Sequence, residues 1–338
     1  MALFGGLFGA SKRNTQDAVA TRLRQERPTV LVPDFPAPWA SQLPGVVANV
    51  DVASLHSWYR ELDETGRLFL LEDLAEQFDD DDDDDDDTEL YDAWSHRLAG
   101  SSDPIGQLLL ATVHLGAGWH DDGLAGAMEA GRAMGTEIAP YLIAQECAIA
   151  LPAGEQVKVA QHWQAIDPFH PRGLEILGHQ FDERHFGNKN SQLALAEQVA
   201  RTAPAGHPGL GAVPALVMQR WDYLAVEEDR YFNDCDERTV ELARVQAFLS
   251  LAYRKLHAVG KQDPRVEAAV LNRFLWCFHF GMENGRAHDV LGLLRGRASA
   301  SVWTFRDEDD NPVTEFEDAR DSIIREVEFD LDDEGEEG

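Results

Sequence analysis

The stretch Val157–Tyr223, VKVAQHWQAIDPFHPRGLEILGHQFDERHFGNKNSQLALAEQVARTAPAGHPGLGAVPALVMQRWDY, decides how the chain folds. Proline at a first helical position costs nothing, whereas one inside a helix removes a hydrogen bond and clashes, so Pro168, Pro171 and Pro204 punctuate helices here. After Pro171, Leu174, Leu177, Gly178 and Phe181 fall at i, i+3, i+4 and i+7, one stripe of an amphipathic helix. Leu193, Ala196, Val199 and Ala200 repeat the period until Pro204 and Gly206-His207-Pro208-Gly209 end it. The turns at Pro168 and Pro204 lie about 36 positions apart, near the length of one helical hairpin in a repeat protein. A single hairpin leaves its apolar stripe uncovered, so the spacing predicts stacked neighbours.

The two turns, Asp167-Pro168-Phe169-His170-Pro171 and Ala203-Pro204-Ala205-Gly206, resemble those of the tetratricopeptide-repeat superfamily. More narrowly, they are similar to those of an uncharacterised group of bacterial helical-repeat proteins with DPxHP and APxG turns. Where that group carries Lys-Trp-x-Gly-Ser, this chain reads Arg184-His185-Phe186-Gly187-Asn188. The resemblance implies an all-α fold of antiparallel helical hairpins stacked as a TPR-like α-solenoid, and it implies no particular activity.

Outward from the centre, helical spacing continues. Leu55, Trp58 and Leu62, then Leu68, Leu71, Leu74 and Phe78, mark a helix pair, and Leu90, Trp94, Leu98, Leu108, Leu109, Val113, Leu115 and Trp119 mark another. Beyond the centre, Leu242 to Leu256 and Val266 to Phe278 carry the same period, and Val290, Leu291 and Leu294 close it. Upstream, the prolines between Pro28 and Pro44 forbid a long helix and predict an extended lead-in, with strand confined to Val30–Phe35. The expected organisation is a flexible segment over 1–27, a lead-in over 28–51, a helical-repeat domain over 52–296 and an acidic tail over 297–338. Within the tail, a helix over Phe316 to Val327 is expected to dock.

Nine consecutive aspartates, Asp79 to Asp87, predict a solvated acidic loop. With a formal charge of −32, the chain is poorly suited to a phosphate backbone, and no nucleic-acid partner is expected. Cys147, Cys235 and Cys277 form no Cys-x-x-Cys pair, which argues against a zinc knuckle and fits a reducing cytoplasm. The apolar opening Met1 to Ala10 is too short to span a bilayer, so no membrane partner is expected.

No Gly-x-Ser-x-Gly, phosphate-cradling glycine loop or His-Glu-x-x-His helix occurs, and the chain reads as a non-catalytic scaffold for a protein or peptide partner, with no cofactor or metal. The candidate anchors are Trp163, His170, His185, Phe186, Trp221 and Tyr223, aromatic groups, all but Phe186 with polar handles, gathered around the two turns. Two other readings stand beside it. His179, Asp182 and His185, with His114, His120, Asp121 and Asp122, hold the donor types of a metal-dependent enzyme, and the apolar decapeptide could tether an adaptor to a membrane.

Overall fold

A computed structural model describes residues 29–33, 35–78, 87–182, 185, 187–188, 190–226, 237–258, 263–304 and 311–336. The fold is all-α, apart from one pair of three-residue strands among the described residues. The chain divides into two compact units, Ala37–Gln192 and the combination of Met1–Pro36 with Leu193–Gly338. The boundary falls inside the stretch read above as one array.

In the unit Ala37–Gln192, local chemistry sets the helix starts. α1 (Leu43–Ala48) has Pro44 in its first turn, so part of the expected extended lead-in is helical. α2 (Val52–Glu61) and α3 (Glu64–Glu76) are capped by Asp51 and Asp63, whose carboxylates accept from the backbone N–H of Ser54 and Gly66. After α4 (Asp87–Leu98), Asp103 caps α5 (Pro104–Gly116) through the Gly106 N–H. α6 (His120–Met134), α7 (Ala139–Cys147), α8 (Ala153–Ile166) and α9 (Pro171–Gln180) follow, each packed on the helix before it. The aspartates 79–86 of the expected acidic loop lie outside the described residues, and Asp87 opens α4.

The core of this unit contains Leu55, Tyr59, Leu70, Leu71, Leu74, Trp94, Leu108 and Leu109, all essentially without solvent access. Three buried glutamines tie α7, α8 and α9 together. Gln145 and Gln180 pair reciprocally, the Gln180 amide donating to the Gln145 carbonyl at 2.8 Å, while the Gln156 amide donates to the Ile149 and Leu151 carbonyls. Buried amides must find partners or cost stability, so these bonds fix the relative register of the helices.

The second unit contains most of α10 (Ser191–Thr202), then α11 (Ala212–Val226), α12 (Glu237–His257), α13 (Glu267–Phe280), α14 (Asn284–Leu294), α15 (Ala300–Trp303) and α16 (Pro312–Glu336). Strand β1 (Val30–Val32) lies within the segment where strand was expected, and pairs in parallel with β2 (Arg297–Ser299), Val30 opposite Arg297. Within the expected acidic tail, the helix expected over Phe316 to Val327 lies inside α16 and packs into this core. Phe316, Ala319, Ile323, Ile324 and Val327 of α16 are buried, and the Trp303 ring meets Phe316 edge-on at 5.5 Å. Asn272 donates to the Arg297 carbonyl at 3.0 Å and accepts from the Trp303 indole at 2.7 Å, which joins α13 to β2 and α15.

Candidate partner-binding face

Three of the four expected anchors whose side chains are described, Trp163, His170 and Trp221, are interior. Trp163 has no solvent access, and its indole N–H meets no acceptor among the described residues. His170 is buried as well and serves the backbone: its Nδ1 accepts from the Gly173 N–H at 3.4 Å and caps α9, while Nε2 stands 3.5 Å from Glu64. That contact holds the Glu64 carboxyl below its ordinary range. His207 repeats the device in the second unit, its Nδ1 accepting from the Gly209 N–H at 3.1 Å. Trp221 is 3% exposed and lies against Trp276, 5.9 Å between ring centres. Trp163, His170 and Trp221 are therefore framework groups and leave the set of surface anchors. A Trp stripe at helical spacing buries wherever a neighbouring helix covers it, and here one does.

Of the remaining expected anchors, His185 is exposed and lies edge-on to His179 at 5.2 Å. Phe186 lies outside the described residues, as does the side chain of Tyr223 in α11. Asp182, between the two histidines, is 1% exposed. Among the described residues no group of three or more His, Cys, Asp or Glu side chains is arranged to hold a metal ion.

A different aromatic group reaches the surface. The spacing predicts Trp119 on the apolar stripe of the preceding helix, but α5 stops at Gly116 and Gly118 turns the chain at φ +75. A side chain at that φ is strained, so glycine permits the turn. Trp119 then precedes α6 and is 55% exposed. Its ring stacks on Tyr91 of α4, with centres 5.7 Å apart and planes 10° from parallel. The Tyr91 hydroxyl lies 2.9 Å from Nδ1 of His114, and the two rings meet edge-on at 5.7 Å. Burial lowers the proton affinity of His114 against the opposing pull of Asp122, which favours the neutral ring. Glu89, Asp92, Asp121 and Asp122 are exposed on the two helices that carry the stack.

A separate ionic cluster joins α9 to α3 and α7. Arg172 lies 2.7 Å from Glu72, 2.9 Å from Glu146 and 3.8 Å from Glu175. One guanidinium cannot neutralise three carboxylates. Burial, opposed by Arg172 and assisted by Glu146 and Glu175, pushes the Glu72 carboxyl up to about 7. Burial alone would weaken the Arg172 charge, but the three carboxylates outweigh it and hold the guanidinium protonated.

Comparison with protein-family models, with curated proteins and with solved structures finds no match to the chain. Among the described residues no helix is long and apolar enough to cross a membrane.

Proposed function

We propose that this protein is a non-catalytic helical scaffold that holds a protein or peptide partner, and that its helices form antiparallel hairpins stacked in the tetratricopeptide manner. Prolines in the first turn of α5, α7, α9 and the short 3-10 helix Pro208–Gly211 recur every thirty to forty residues, which supports the repeat reading. The observation that carries the binding reading is the exposed Trp119 stacked on Tyr91. Large aromatics that keep accessible surface are the commonest energetic anchors of protein interfaces, and a ring already held by a neighbour loses little freedom on binding.

A photo-crosslinking amino acid placed at position 119 tests the reading, with the same probe at exposed Met282 as control. A protein captured at 119 and not at 282, and lost from a pull-down by Trp119→Ala, is the expected result. An anchor of this kind contributes about 2 kcal/mol, so the affinity of the identified partner should fall roughly thirtyfold. Capture indistinguishable between the two positions would remove the face from consideration.

A further inference from the structure

We propose that the Trp119–Tyr91 face receives a cationic segment, with arginine preferred over lysine; this rests on the scaffold reading and names the chemistry of the partner. One face of the indole lies on Tyr91, yet the side chain is still 55% exposed, so surface remains for a second stacked group. The Tyr91 hydroxyl is engaged by His114, which leaves the ring, and not its polar tip, as the feature offered to a ligand. Aromatic faces carry negative quadrupole density and attract cations, and a planar guanidinium also stacks.

The charge around the stack has the matching sign. Asp121 and Asp122 are exposed in the first turn of α6, directly after Trp119, and Asp122 lies close enough to His114 to act on its proton affinity. Glu89 and Asp92 are exposed in α4, two positions before and one position after Tyr91 in the sequence. The chain as a whole carries a formal charge of −32. The basic residues of α4, His96 and Arg97, stand in its last turn. A lysine would gain the Coulomb attraction, whereas an arginine gains in addition the stack and a two-pronged bond to a carboxylate.

The experiment titrates labelled nona-arginine, nona-lysine and a glycine-serine nonapeptide against the full chain, at low salt and at about 0.5 M salt. The variants are Trp119→Ala, Trp119→Phe and the double change Asp121→Asn with Asp122→Asn, each checked for an unchanged melting curve. Nona-arginine should bind more tightly than nona-lysine, and the glycine-serine peptide should not bind. Trp119→Ala should weaken nona-arginine about fivefold and abolish the preference over lysine, while Trp119→Phe keeps most of both. The double change should weaken both basic peptides alike and flatten the salt dependence. Equal affinity of nona-arginine for wild type and Trp119→Ala, or no binding of either basic peptide, overturns the proposal. If no basic peptide binds but position 119 still captures a protein, the scaffold reading stands and the cationic one falls. If nona-arginine binds through Trp119 but no protein is captured, the scaffold reading fails alone.

Discussion

Gly173 lies directly beneath the ring of Trp163: a Cβ at this position would stand 2.8 Å from Cε3 and 2.9 Å from two further ring carbons. The same residue donates its backbone N–H to His170, so the start of α9 is set by a ring above it and an imidazole before it. Gly173→Ala should therefore destabilise the protein by about 1–3 kcal/mol, the usual cost of forcing extra volume into a packed site. Gly154, in the first turn of α8, has no atom within 4 Å of the corresponding Cβ. Gly154→Ala should stabilise by roughly 0.4–1 kcal/mol through the unfolded chain. Urea denaturation of both variants checks the contrast, and equal effects would show that the Trp163 ring can move aside.

The two tryptophans 119 and 163 should separate stability from recognition. Trp163→Ala removes a fully buried ring and should cost about 3–5 kcal/mol. Trp119→Ala, at an exposed site, should cost well under about 1 kcal/mol, because little buried surface is lost. Chemical denaturation of the two variants under the same conditions provides the test. A large loss for Trp119→Ala would mean that its stack on Tyr91 supports the fold itself.

Stability should fall as pH rises through neutrality on account of Glu72. Its folded-state proton affinity is raised to about 7, so the folded protein retains a proton that the unfolded chain releases. The contribution is complete below the ordinary carboxylate range and is lost as pH rises through about 7. Glu72→Gln removes this slope, and its stability relative to wild type should grow by roughly 1–3 kcal/mol between pH 5 and pH 8. His114, His257, His279 and His288, whose burial disfavours their protonated forms, act in the opposite sense below about pH 6.5. The difference between variant and wild type, measured by urea denaturation across that range, isolates Glu72. A difference independent of pH would mean that Arg172 keeps Glu72 ionised throughout.

Replacing the nine aspartates by a glycine-serine linker should leave the melting temperature unchanged or raised, since it relieves like-charge repulsion in a chain of formal charge −32. The same replacement should weaken the binding of nona-arginine at low salt more than at high salt. A melting temperature lowered by more than a few degrees would assign the run a structural partner.

Helices and their ends were legible in the sequence because both are local. Apolar residues at helical spacing define a stripe, and aspartate before Gly66 or Gly106, or histidine before Gly173, satisfies backbone donors within three residues. The all-α class, the helix breaks at proline and the strand near Val30 follow from such signals. The stripe does not say which element covers it. Trp163 and Trp119 have the same side chain, yet a packed neighbour buries the first, while the end of α5 and a left-handed glycine turn the second outward. The division at Gln192 and the pairing of Val30 with Arg297 join residues far apart in the chain. Tertiary structure alone decided these, because the free energy of covering an apolar face depends on area removed from water and not on sequence distance.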